Sequence, residues 1–323
     1  MNAHFYLYDA TGADEKVEPG DVDIAKLKEN HLLWINILDK NEETLQQIAK
    51  SINLQKLPLR AISDPKRRPQ LENFEDFFRF NIVSVKMNAD SHPERQPIDF
   101  IVGKNFIVTA HEGEVEYFTK LRKREKAETQ FGELDAESFL ATLLDLHLVS
   151  YFQALEEIEH RVDVFDAKVL KTDMETTDFL SEMVELRTDV SKLRRWLLPH
   201  RDIFYSLTRA DFKQVADSDS LEHYKMLNQH FESAVDAVES SRDTVLSTFD
   251  LYATKSSQLT NKFIRRLTFL TLVTGSLSVI AGILGMNYKV DFFESSNGFW
   301  FTVAGMALIA VGLSVLARFK RWI

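Results

Sequence analysis

The chain has 323 residues, a formal net charge of −10, 27% charged residues and a mean hydropathy of −0.20. That acidity argues against a nucleic-acid binder, which carries a basic patch, and suits cations better. No cysteine is present, so disulfides and thiolate metal sites are excluded, while the length allows two domains that are mostly soluble in character.

The opening MNAHFYLYDATGADEK has neither a basic start nor a long apolar stretch, so no signal peptide is expected. Strands are predicted at FYLYDA, LLWINIL, FFRFNIVSVKM and IDFIVGKNFIVTAHE, which are rich in β-branched and aromatic residues and bounded by turn formers. Between them Asn41 is placed to cap a helix carrying Leu45, Ile48 and Ala49. Gly103-Lys104-Asn105, between two apolar runs, predicts a hairpin turn.

From Gly132 to Gly275 there is no intervening glycine and one proline, Pro199. So few breakers predict long helices near Glu137–Leu170, Thr176–Leu198 and Ser220–Gly285. The last would be about 100 Å long. It needs partner helices or sister subunits to bury its apolar stripe.

Leu267–Tyr288 and Asn297–Ala317 each lack a charged residue. As helices they cover about 30 Å, the thickness of a bilayer's hydrocarbon core. Lys262, Arg265 and Arg266 precede the first run, and Arg318, Lys320 and Arg321 follow the second. The connection carries Lys289 against Asp291 and Glu294. These flanks favour membrane spans over buried core helices and put both termini in the cytoplasm. The expected order is an α+β cytoplasmic domain (1–132), a helical region and stalk (133–266), a first span (267–288), an external loop (289–298), a second span (299–317) and a basic cytoplasmic tail (318–323).

No G-x-x-x-x-G-K nucleotide loop occurs, the nine histidines are scattered, and serine and histidine form no catalytic pattern. His223 and His230 share a helical face and read as surface. Neither an enzyme nor a bound cofactor is expected. Three features carry information. Thr271, Gly275, Ser278 and Gly282 share one helical face; alone they read first as a packing stripe and second as pore lining. Asn287 is a C-terminal cap or an amide on a wetted path. Asp236, Asp243 and Asp250 recur every seven residues, which reads as a solvated face, or, turned inward in a bundle, as a stripe that gathers cations.

Gly285-Met286-Asn287, at the end of the first of two C-terminal spans, resembles the signature of the CorA family of divalent-cation transporters, which includes the zinc-transporting ZntB branch. Further similarity lies in RRPQLENFEDFFRFNIVSVKM, GKNFIVTAHE, LRRWLLPHRDIF and the ending FKRWI. The resemblance implies a funnel-shaped homopentamer in a bacterial-type inner membrane, with five first spans around a pore and the second spans outside. Gly285, Met286 and Asn287 would form the selective outer mouth, with Gly282, Ser278, Gly275 and Thr271 lining the pore inward. Leu267 and Ile264 continue that face as a hydrophobic gate, and external Asp291 and Glu294 would attract cations. Asp236, Asp243 and Asp250 are candidates for a cytoplasmic metal site. The implied cargo is Mg²⁺, with Co²⁺, Ni²⁺ or Zn²⁺ as alternatives, and the implied partners are sister copies and the lipid bilayer. Where magnesium-transporting members carry a Met-Pro pair midway along the first span, this chain has Gly275 and Ser276. Two further readings stay open: proton-coupled Zn²⁺ transport, and a non-conducting membrane scaffold or cation sensor.

Overall fold

The β-branched and aromatic runs of the N-terminal third pair into one seven-stranded sheet. In the computed structural model, residues 3–9, 15–17, 27, 31–51, 62, 68–74, 76–125, 136–171, 178–209, 218–286 and 296–320 are described. The strands are β1 (Ala3–Asp9), β2 (Glu15–Val17), β3 (His31–Ile37), β4 (Leu71–Asn73), β5 (Phe77–Met87), β6 (Pro93–Gly103) and β7 (Phe106–His111). Their order is β2-β1-β3-β7-β6-β5-β4. Among the described strands only β3 and β7 run parallel, a pairing that no local pattern announces, because parallel neighbours need a long crossover.

The helices are α1 (Glu42–Ser51), α2 (Glu116–Glu125), α3 (Ala136–Lys171), α4 (Asp178–Leu197), α5 (Arg201–Leu207), α6 (Ser218–Leu284) and α7 (Ser296–Phe319). Pro199 sits in a single 3₁₀ turn, Leu198–His200, that separates α4 from α5. Proline cannot donate within a helix, and this is where the predicted helix stops. Asn41 caps α1 as expected, its side-chain oxygen accepting from the Glu43 amide at 3.0 Å.

Two compact units result, one made of Met1–Phe165 with Thr176–Ser247, the other of Asp166–Glu175 with Thr248–Ile323. In the first, one face of the sheet buries Leu33, Ile35, Ile37, Val108 and Ala110 under Leu45 and Ile48 of α1. On the opposite face Trp34 is met edge-on by Phe118 of α2 and Phe139 of α3, at 5.5 and 5.4 Å. Its indole N–H donates to Thr109 Oγ1 at 3.0 Å, so the largest buried ring leaves no polar atom unpaired. The predicted hairpin is a two-residue turn, Lys104-Asn105, between paired Gly103 and Phe106. A Cβ at Gly103 would overlap the Phe106 ring, which would have to move. α3 is apolar and long enough to cross a membrane, yet 56% of its most apolar stretch is buried within the protein. It is a core helix.

β4 pairs with β5 only from Phe78 to Phe80, which leaves the rest of that edge to be satisfied by side chains. Tyr151 of α3 donates its hydroxyl to the Val83 carbonyl at 2.7 Å, and the Val83 amide donates to His200 Nε2 at 2.8 Å. His147 lies against both rings. Neither of its nitrogens has a hydrogen-bond partner among the described residues. Burial holds both histidines neutral, lowering His200 to about 3 and His147 well below the ordinary 6.5. The unfolded chain therefore takes up these protons first. For His200 the contribution to stability is complete above about pH 6.5 and is lost as the pH falls toward about 3, at about 1.4 kcal/mol per pH unit; His147 acts in the same direction. His147→Leu, which removes two unpaired buried nitrogens at similar volume, is expected to raise stability at neutral pH by about 1 kcal/mol and to flatten the acid slope. The urea midpoint of the full-length protein, measured across pH, checks both. An unchanged slope would remove His147 as a contributor.

Candidate functional site

The second unit contains α7 and the C-terminal part of α6, the two helices whose most apolar stretches have no buried residue within the chain. Along α6 the half-buried positions are Phe269, Val273, Ser276, Leu277, Ile280 and Leu284; along α7 the half-buried or buried ones are Gly298, Thr302, Met306, Ala310, Leu313 and Ala317. Both sets recur at helical spacing, and they are the faces that the two helices turn toward each other. Phe269, Leu272, Leu313, Leu316 and Ala317 bound a small gap between them.

The small and hydroxyl-bearing stripe lies elsewhere. Thr271, Gly275, Ser278 and Gly282 are all exposed, as are Leu267 and Ile264 at 64% and 55%. A Cβ added at Gly275 or Gly282 would meet nothing within 4 Å. Packing within the chain therefore does not explain these small residues. Thr271 donates its hydroxyl to the Leu267 carbonyl at 2.9 Å, so its oxygen keeps acceptor capacity on the open face. Gly275 and Ser276, adjacent in sequence, part company: Gly275 is on the open face, whereas Ser276 is on the half-buried side and bonds back to the Leu272 carbonyl at 2.7 Å.

α6 ends at Leu284, after which the Gly285 amide donates to Ala281 at 2.9 Å and the Met286 amide to Ile283 at 3.2 Å. Gly285 and Met286 are exposed. Asn287, Asp291 and Glu294 lie outside the described residues.

Asp236, Asp243 and Asp250 are exposed on α6. Residues seven apart on a helix are about 10.5 Å apart along its axis, too far to share an ion, so one chain does not assemble a metal site from them. Among the described residues no three His, Asp or Glu side chains are arranged to hold a metal. The two best-buried carboxylates are already matched. Asp99 lies between Lys40 at 2.8 Å and Arg79 at 2.7 Å. Burial would raise the Asp189 carboxyl, but Arg161, His92 and Lys192 around it hold it below the ordinary carboxylate range. His223 and His230 do not come together; His230 pairs with Asp145 at 2.9 Å instead.

The pattern of small residues was legible in the sequence, but its orientation was not. The orientation emerges only when α7 takes the opposite side of α6, and the half-buried spacing on Phe269, Val273 and Ile280 is the signal that identifies the occupied face.

Residues 29–321 match the family model described as "CorA-like Mg2+ transporter protein". The chain is 26% identical over 294 residues to the cobalt/magnesium transport protein CorA of Thermotoga maritima, covering 90% of this chain and 83% of that one. It is 24% identical over 293 residues to the putative metal ion transporter YfjQ of Bacillus subtilis, covering 90% and 89%. Among solved structures, the complete CorA magnesium transporter of Methanocaldococcus jannaschii matches with a TM-score of 0.81 at 20% identity, over 99% of this chain and 98% of that chain. The ZntB cytoplasmic domain of Vibrio parahaemolyticus matches at 0.64 with 12% identity, over 80% and 100%. At such identities the structural likeness is one of fold.

Proposed function

The chain belongs to the CorA family of divalent-cation transporters, and from that premise we propose that five copies form a Mg²⁺-conducting pore with α6 at its centre. The observation that carries the reading is the open face of α6, on which Thr271, Gly275, Ser278 and Gly282 lie exposed and unpacked. Small residues there leave room for a hydrated ion, and hydroxyl and carbonyl oxygens can accept hydrogen bonds from its water.

The assembly reading gives the remaining residues their roles. The first span covers 267–288, the external loop 289–298 and the second span 299–317, with residues 1–132 and 133–266 and the tail 318–323 in the cytoplasm. Basic residues on both sides of the pair of spans support that orientation. Five Asn287 amides form a ring at the outer mouth. Mg²⁺ gives up its waters reluctantly, and an amide oxygen accepts hydrogen bonds from that shell without the deep trap of a carboxylate ring. Asp291 and Glu294 raise the local cation concentration, with Lys289 opposing them. An inside-negative potential favours a divalent ion by about 4.6 kcal/mol per 100 mV, so influx needs no nucleotide.

The heptad that begins at Asp236 continues in sequence through Asp243, Asp250, Ser257, Ile264, Thr271 and Ser278 to Gly285, and every one of these residues is exposed. Ile264 is its one apolar position, which supports a gate at Ile264 and Leu267. The three aspartates, repeated five times, would collect cations on the cytoplasmic side. Asp236→Asn, Asp243→Asn and Asp250→Asn together are expected to shift Mg²⁺-dependent closure to at least about tenfold higher Mg²⁺, a loss of about 1.4 kcal/mol of binding. Closure at unchanged Mg²⁺ would take the stripe out of regulation.

The test of function is flux into proteoliposomes containing the purified full-length protein, with Mg²⁺ and Zn²⁺ each offered with and without a pH gradient. Mg²⁺ entry driven by voltage alone is the expected result. Zn²⁺ entry that requires the pH gradient would replace the reading with proton-coupled zinc transport. No flux of either ion would leave a non-conducting scaffold or sensor.

A further inference from the structure

A cavity of about 320 Å³ lies in the first unit, between α2, α3 and the outer half of the β5–β6 hairpin. None of its lining residues is among those assigned to the proposed ion pathway. β7 ends opposite Ile98 and β4 reaches no further along β5 than Phe80, while β5 and β6 stay paired as far as Met87 and Pro93. The hairpin therefore runs on as a two-stranded ribbon, and α2 and α3 pack against it without filling the space. Val85, Tyr117, Leu121, Leu146 and Val149 supply an apolar wall. Its volume and its mainly apolar lining with few polar groups match small-molecule sites, which run from about 300 to 1,000 Å³.

One charged group is left over, the exposed Lys86. Of the charged residues that line the cavity, Lys120 is paired with Glu116 at 2.7 Å, whereas Lys86 makes no ion pair among the described residues. Its cross-strand neighbour Glu94 accepts from Asn88 Nδ2 at 3.2 Å instead. The unpaired charge on the lining is therefore positive.

We infer that this cavity binds a small amphiphilic anion, with an aromatic or short aliphatic body against Leu121, Leu146 and Val149, and a carboxylate or comparable group held by Lys86 at the cavity's exposed rim. A cation would face the unpaired Lys86 ammonium.

The absence of native cysteine makes the test clean. Thr142, half-buried on the cavity lining, is replaced as Thr142→Cys in the full-length protein in nanodiscs, and its modification by a negatively charged methanethiosulfonate is timed. Gln153→Cys, at an exposed lining position, is the second reporter should the first variant fold poorly. The probe is 4-phenylbutyrate, which is expected to slow modification roughly tenfold at ten times its Kd. Lys86→Glu should abolish that protection, and uncharged 4-phenylbutanol should protect far less. No protection of either cysteine up to the solubility limit of the probe would overturn the site. Equal protection by the alcohol, or protection that survives Lys86→Glu, would overturn the anion. Transport is not read, so the outcome is independent of the ion pathway.

Discussion

Asn287→Ala is expected to lower divalent flux into proteoliposomes at least about tenfold, which corresponds to about 1.4 kcal/mol at the barrier. On the pentameric reading the substitution removes five amide oxygens from one ring. A hydrogen bond to a charged group contributes about 1.5–3 kcal/mol, so even partial replacement by water leaves a deficit of this size. Asn287→Asp separates the amide chemistry from mere polarity. Five carboxylates would bind the ion more tightly and release it more slowly, giving stronger block of flux by a second divalent ion at lower concentration. Wild-type flux in both variants would remove the amide ring from the mechanism, whereas loss of flux in Asn287→Ala with an intact oligomer on a sizing column would support it.

Leu267→Ala has the second largest expected effect, in the opposite direction. A hydrophobic constriction closes a pore by excluding water. Removing most of a leucine's apolar surface from each copy lowers the cost of wetting by about 1.4 kcal/mol or more, a rise of about tenfold in basal flux. The variant is diagnostic because Leu267 is 64% exposed in the chain and sits on the face opposite α7, so the change disturbs little packing within the subunit. Ile264→Ala, three residues earlier on the same face, is expected to act in the same sense. If Leu267→Ala leaves basal flux and its closure by Mg²⁺ unchanged, the constriction lies elsewhere. Gly275 cannot supply it, since it has no side chain.

Much of the fold was legible because it rests on local signals. The run without glycine between Gly132 and Gly275 predicted long helices, and α3, α4 and α6 fall within a few residues of the predicted bounds. FFRFNIVSVKM is β5 to the residue, and Gly103-Lys104-Asn105 turns the chain where expected. Helix α2 was not read. Its sequence EYFTKLRKRE has no glycine or proline to mark it off and four basic residues in ten; what holds it is Phe118 against Trp34, a contact across a large separation in sequence. The amphiphile cavity was illegible for the same reason, since Lys86, Tyr117 and Leu146 come from three elements that no periodicity links.

The sequence by itself determined where the two charge-free apolar runs lie, that Gly285-Met286-Asn287 falls near the end of the first, and which small residues share a helical face. These follow from composition and from the 3.6-residue period, properties of a segment alone. Only the tertiary structure decided which face of α6 is occupied. Because α7 covers Val273, Ser276 and Ile280, it leaves Thr271, Gly275, Ser278 and Gly282 open. It likewise decided that β3 and β7 run parallel and that His200 caps the edge of β5 across more than a hundred residues. A helical period specifies a set of faces without saying which neighbour covers each one; burial against a distant element makes that choice.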